Sequence, residues 1–369
     1  MDFAFNEDQE ELRRYVRQWL DKKAGIETVR SLMETPDGNS VEHWSEIAEM
    51  GWQAMAIPEE YGGAGFGFLE LAVILEEQGR VLFTAPFLST AVLAAHALLI
   101  GGTEEQKQRH LPGIAAGEVV ATVAASDATG ELTADGTETT AVPDGDGWLL
   151  TGTKRFVLDG HTADLVIVTA ATDDGMGAFI VDHADVNASV LPTMDETRKQ
   201  AEVSLDGVRV DASARLETDV EGLLGRLDLI AGAALSIESV GAAQKCLDMS
   251  VEYAKDRKQF NRPIGSFQSI KHKCADMLVT LEAAKSAAYY SAWAVGEGAE
   301  DVTEAVAIAK AYCTDAFYHC AAENIQIHGG IGFTWEHDAH LYFKRAKSSQ
   351  LMFGSPQHQR RRLAALLEL

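Results

Sequence analysis

Hydrophobic residues change their spacing twice along this chain, and that double switch limits the folds open to it. Up to residue 116 apolar side chains recur three or four apart. Leu12, Val16, Trp19 and Leu20 share one helical stripe behind Asn6 and Gln9, whose spacing predicts a capping box. From 117 to 219 short β-branched runs take over ("EVVATVAA", "WLLTGTKRFVL", "ADLVIVTAA", "AFIVDH", "AEVSLDGVRV"). Asp144-Gly145-Asp146-Gly147, Asp159-Gly160 and Asp206-Gly207 read as the turns between them. From 220 to 369 the helical spacing returns, in Ile237, Val240, Gln244, Leu247, Val251 and Ala254 and again in "AVAIAKAYCTDAFYHCAAENIQI". The pattern predicts an α+β multidomain chain. It has an N-terminal α-helical domain (1–116), a middle antiparallel β barrel or sandwich (117–219) and a C-terminal helical domain (220–369). Strands and helices do not alternate, which argues against a Rossmann sheet. The glycines of "IPEEYGGAGFG" follow no strand and miss the GxGxxG spacing, so they predict a turn.

Charge narrows the function. The formal net charge is −25, and residues 117–220 hold 20 acids against 6 bases. A surface of that sign argues against nucleic acid as a partner, because phosphate neutralisation needs cations. No apolar run reaches spanning length ("AVLAAHALLIGG" is the longest) and the first residues read as an acidic helix, so neither a membrane span nor a leader is expected. Cys246, Cys274, Cys313 and Cys320 lie in helical patterns without a CxxC pair, as free thiols of a reducing compartment do; the cytoplasm is the expected location.

Two stretches stand out. "RKQFNRPIGSFQSIKHK" (257–273) carries five lysines and arginines and no acid, at a break between two helical patterns. Arginine at such a corner forks two hydrogen bonds onto a phosphate, and a nearby helix start adds backbone donors; a solvated basic turn is the plainer alternative. "QIHGGIGFTWEHDAHLYFKRAK" (326–347) puts Gly329 and Gly330 after a helical run, as a helix cap or as a place where backbone approaches a flat ligand. His337 and His340 stand three apart beside Asp338 but lack further ligands, so no metal site is expected. GxSxG, HExxH and P-loop motifs are absent.

Together "YAKDRKQFNRPIGSFQSIKHKCADM", "IQIHGGIGFTWEHDAHLYFKRAK", "IPEEYGGAGFG" and "LTGTKRFVLDGHTADLVIV" resemble the acyl-CoA dehydrogenase family over the whole chain. The resemblance implies that family's fold, with a four-helix-bundle-like C-terminal domain, FAD as cofactor, an acyl-CoA thioester as substrate and an electron-transfer flavoprotein as acceptor. The implied chemistry removes a proton from the α carbon and passes the β hydrogen to FAD as hydride, so a carboxylate base and donors to the thioester carbonyl are needed. It also implies a dimer in which the basic turn reaches a flavin nucleotide held mainly by the neighbour. Arg257, Phe260, Gln268, Gln326, Gly329 and Gly330 carry over as cofactor-binding positions, and Ser355 and Gln357 fit two more.

The chain departs from the family where the chemistry happens. The family's usual base is a glutamate before Gly-Thr, and here Phe353 precedes Gly354-Ser355. Its alternative site, on the helix before the basic turn, matches Ala231. In the β domain Ala125 and Glu131 stand where hydroxyls are expected, and Phe156-Val157-Leu158 replaces the Trp-x-Thr/Ser that lies along the flavin ring. Contacts to the chain's own flavin are altered while contacts to a neighbour's remain. One subunit of a heteromeric α2β2 dehydrogenase is therefore expected, its paralogous partner supplying base and flavin pocket. Alternatives are a homomeric enzyme whose base moved to Glu238, seven residues or about 10 Å beyond Ala231 on the same helix, and a non-catalytic scaffold. Glu238 also reads as a buried carboxylate paired with a cation.

Overall fold

The computed structural model describes residues 6–369. In chain order the helices are α1 (Glu7–Lys23), α2 (Ile26–Met33), α3 (Val41–Glu49), α4 (Phe68–Val81), α5 (Ala95–Gly101) and α6 (Glu104–Ala115), then α7 (Val220–Asp256), α8 (Gln268–Glu297), α9 (Val302–His328), α10 (Ala339–Leu351) and α11 (Pro356–Leu366). Strands β1 (Ala121–Ala124), β2 (Thr140–Asp144), β3 (Gly147–Leu158), β4 (Leu165–Thr172), β5 (Gly175–Asp182), β6 (Asn187–Val190) and β7 (Gln200–Asp211) lie between α6 and α7, and the short pair β8 (Lys258–Gln259) and β9 (Arg262–Pro263) between α7 and α8. Helical, β, helical is the order the spacing predicts.

The chain forms two compact units. One comprises the N-terminal segment through Arg30, Phe68–Phe83 and Gly232–Leu369; the other comprises Ser31–Gly67 and Thr84–Ala231. In the first, α1 and α4 join the long C-terminal helices. Asn6 and Gln9 form the expected capping box at the start of α1. Helices α4 and α7 touch backbone to backbone: a Cβ on Gly79 would lie 2.1 Å from the Glu238 carbonyl oxygen, and one on Gly241 would lie 1.8 Å from that of Glu76. Beside this contact the buried Glu76 takes Arg13 at 2.8 Å and the Tyr289 hydroxyl at 2.9 Å, and Glu77 takes Arg17 at 2.6 Å. Buried carboxylates persist only when held this way. Burial pushes the Glu76 carboxyl above its ordinary range, with Arg13 pulling the other way.

The second unit is built around the sheet, ordered β1-β4-β2-β3-β7-β6 with β5 on β4. Its core includes Leu150, Val166, Val168, Phe179, Val203 and Leu205. The Asp144–Gly147 turn is present as the β2–β3 hairpin, with Gly145 at φ 64°. Two expectations change. The sheet is mixed, because β1 and β2 both run parallel to β4, a pairing between segments too far apart in sequence for turn signals to reveal. Asp206-Gly207 is no turn: β7 continues through it opposite β3, with a register shift at Leu150/Thr151. "IPEEYGG" is a turn, with Gly62 at φ 79°. No helix among the described residues is long and apolar enough to cross a membrane. All four cysteines are free, and burial pushes the Cys313 and Cys320 thiols up to about 12.

Candidate active site

The basic stretch leaves the end of α7 as a tight hairpin. The Arg257 N–H donates to the Tyr253 carbonyl at 2.9 Å and its carbonyl accepts from the Ile264 N–H at 2.8 Å, which folds the loop back on the helix end. Between β8 and β9 the two turn residues Phe260 and Asn261 both have positive φ, 52° and 61°. A two-residue hairpin of that hand matches strand twist, but it normally takes Asn-Gly. A phenyl-bearing residue in the left-handed region is strained by about 1–2 kcal/mol, and the Phe260 ring is 87% exposed. The strain therefore displays an aromatic ring to solvent. Arg262 lies over the Phe267 ring at 4.0 Å. Gln268 opens the 30-residue helix α8, whose N-cap Phe267 provides no side-chain acceptor. Uncapped N–H groups, the helix dipole and Arg257, Lys258 and Arg262 nearby form a donor set for phosphate.

Gln326, Gly329 and Gly330 gather at the C-terminal end of α9, all exposed. Gly329 caps the helix at φ 65°, and a Cβ on either glycine would meet nothing within 4 Å, leaving room for a ligand to approach backbone. The ends of α7 and α9 are joined by a ring stack, Tyr253 on His328 with centroids 4.2 Å apart. Arg257, Phe260, Gln268, Gln326, Gly329 and Gly330 thus share one end of the helical unit. Ser355 and Gln357 lie elsewhere. Helix α10 runs back along α9, so that the Lys310 ammonium donates to the Ser349 carbonyl at 2.7 Å and Gln350 to Asp315 at 2.7 Å. Asp315 is 13 residues, about 20 Å of helix, from His328. Ser355 caps α11 by accepting from the His358 N–H at 3.2 Å, and Gln357 is exposed.

Neither place where a base is expected holds a carboxylate. Phe353 follows α10, is buried, and sits at φ 53° before Gly354 at φ 87°. Ala231 is fully buried on α7. Glu238, further along that helix, accepts from Arg345 at 2.8 Å, and both side chains are almost wholly buried.

In the β unit the loop after β1 is pinned by a side chain the sequence did not single out. Lys154 is fully buried, its ammonium 2.6 Å from Asp127 and 2.9 Å from the Ala125 carbonyl. Asp127 also accepts from the Thr139 N–H at 2.7 Å and hydroxyl at 2.9 Å. Burial pushes the Lys154 ammonium down, with Asp127 opposing. A hydroxyl missing at Ala125 is present next door: Ser126 accepts from the Ala128 and Thr129 N–H groups, so it is engaged in the loop's own turn. Phe156 sits at φ 57° in a bulge of β3 and packs on Gly130, whose added Cβ would lie 2.8 Å from that of Phe156. Also unforeseen is the contact made by His337, whose ring lies tilted against His328 with centroids 4.2 Å apart. Its spacing with His340 drew notice as a metal pair, and no group of three ligating side chains exists among the described residues.

A helical, β, helical chain with a phosphate-ready hairpin at one helix end fits one family. Residues 6–118, 122–208 and 231–367 match the N-terminal, middle and C-terminal domains of acyl-CoA dehydrogenases, and the chain belongs to that family. It is an FAD-dependent acyl-CoA dehydrogenase, an oxidoreductase acting on CH–CH bonds. It is 34% identical to acyl-CoA dehydrogenase IpdE2 of Mycolicibacterium smegmatis, over 98% of this chain and 99% of that one. Among solved structures it is similar to the ChsE4-ChsE5 complex of Mycobacterium tuberculosis, with a TM-score of 0.91 at 32% identity over 100% and 99% of the two chains. A variant of the Tcur3481-Tcur3483 steroid ACAD gives a TM-score of 0.87 at 31% identity over 98% of each chain.

Proposed function

We propose that this chain is the non-base-bearing subunit of a heteromeric acyl-CoA dehydrogenase, of α2β2 composition, whose paralogous partner supplies the catalytic carboxylate. The observation that carries this reading is the pair of positions Phe353 and Ala231. One holds a phenyl ring and the other a methyl group, and neither takes a proton. The buried carboxylates Glu76, Glu77 and Glu238 are each engaged by an arginine, Arg13, Arg17 and Arg345, rather than directed at a substrate position. That two of the similar solved structures are named for two chains supports the same reading.

Within the assembly Arg257 and the start of α8 at Gln268 grip the nucleotide's phosphates, Phe260 offers a ring for stacking, and Gln326, Gly329 and Gly330 let backbone approach it. Ser355 and Gln357 serve a separate part of the cofactor. FAD, when bound, takes the β hydrogen as hydride. A bulky acyl group of the steroid side-chain kind is the substrate class, by analogy with the steroid ACAD. Electrons pass on to an electron-transfer flavoprotein, and the setting is the cytoplasm, in keeping with four free thiols.

The test is to purify the chain alone, reconstitute it with FAD, and measure flavin stoichiometry and turnover on linear, branched and steroid-side-chain CoA thioesters. Substoichiometric flavin without turnover is expected, and one flavin per two different chains once the partner is present. Full occupancy with turnover by this chain alone overturns the proposal.

A further inference from the structure

We propose that the Tyr253–His328–His337 ladder is a proton-sensitive latch that positions the basic hairpin and the Gly329–Gly330 turn as one body. The rings meet in sequence, Tyr253 stacked on His328 at 4.2 Å and 29°, and His337 tilted against His328 at 4.2 Å and 47°. Each comes from a different segment. Tyr253 lies in the last turn of α7, and its carbonyl holds the Arg257 N–H where the hairpin begins. His328 is the last residue of α9, directly before Gly329. His337 lies on the approach to α10, where its Nδ1 accepts from the Ala339 N–H at 3.1 Å. The end of α7 is thus joined through rings to the end of α9 and the approach to α10, and His328 is both the middle ring and the residue that starts the turn.

The latch holds while its imidazoles are neutral. His328 is buried and donates from Nδ1 to the Asn324 carbonyl at 2.8 Å, which leaves Nε2 to take a proton. Two imidazolium rings at stacking distance repel. The charges around them do not compensate. The charge acting on His328 is that of His337; His337 faces Asp338 and Arg30, and Asp338 is bonded to Arg30 at 2.7 Å. His340, stacked edge-on against Trp335, faces Arg30, Lys344 and Asp338. Burial, ahead of these charges, holds His328 and His337 below the usual 6.5. A depressed value means the opened state takes up protons first, so the latch is intact above 6.5 and loosens as pH falls below it. On the reading of this end as the nucleotide grip, the grip weakens with acid.

Hydrogen exchange of the full-length chain without nucleotide, at about pH 7.5 and about pH 5.5 and corrected for intrinsic rates, tests this. In the wild type, segments 253–267 and 326–340 are expected to lose protection and exchange several-fold faster at the lower pH. His337→Phe keeps a packed ring without the charge and is expected to show a clearly smaller acid step, what remains coming from the burial of His328. Should that variant fail to fold, His337→Gln answers the same question, with weaker protection at both pH values and a likewise reduced acid step. A flat wild type, or the same acceleration in the variants, overturns the latch. Because no nucleotide is present, that failure leaves the two-chain reading untouched, just as turnover by the lone chain leaves the latch untouched.

Discussion

Glu238 shows how one contact decides between two roles for a residue. Its carboxylate and the Arg345 guanidinium are 2.8 Å apart and nearly excluded from water. Removing one charge from such a pair leaves the other buried with its main partner lost. Glu238→Gln is therefore expected to cost about 3 kcal/mol, read as a lower urea midpoint at unchanged slope. If Glu238 is instead the base, urea stability stays and turnover of the assembled enzyme collapses. Phe156, Phe260 and Phe353 tell a second residue-scale story. All three occupy left-handed backbone, where a bulky side chain is disfavoured, and strain of this kind gathers at functional sites. The exposed ring of Phe260 is the clearest instance, since nothing in its burial repays the strain.

At the scale of elements, the α4–α7 crossing is set by two glycines. Gly79 faces the Glu238 carbonyl and Gly241 faces that of Glu76, so the two helices meet without side chains between them. Gly79→Ala and Gly241→Ala each force the helices apart and are expected to destabilise by more than about 3 kcal/mol. Gly225→Ala on the same α7 has nothing within 4 Å, and is expected to stabilise by about 1 kcal/mol through helix propensity alone. Thermal or urea denaturation of the three variants separates the effects; equal gains in all three would show that propensity rather than close approach governs these positions.

For the whole molecule, acid is the destabilising direction. His96, His110, His161, His328, His337 and His340 are all held below the usual 6.5, with burial the largest cause in each case. The unfolded chain takes up protons at these sites first, so stability present above 6.5 is lost as pH falls toward the folded values. Glu76 works the other way, since its folded value is raised, but it is one group against six. Calorimetry between about pH 7.5 and about pH 5.5 is expected to show a falling melting temperature; a flat or rising profile would mean that these imidazoles are solvated and titrate normally.

What the sequence alone determined was local. The Asn6–Gln9 capping box, the Asp144–Gly147 hairpin, the turn at Gly62 and the two changes of period were legible because a cap, a turn or a stripe is formed by residues within a few positions of one another. That residues 353 and 231 are Phe and Ala was legible too, as residue type at positions a family pattern marks. Tertiary structure decided whatever joins distant segments. Asp206-Gly207 has turn chemistry, yet β3 pairs straight through it. Strands β1 and β4 run parallel although 40 residues separate their ends, Glu238 meets Arg345 across 107 positions, and Tyr253 at the end of α7 meets His328 at the end of α9. Such pairings depend on how helices and strands pack, a property of the folded chain as a whole that no short window of sequence contains.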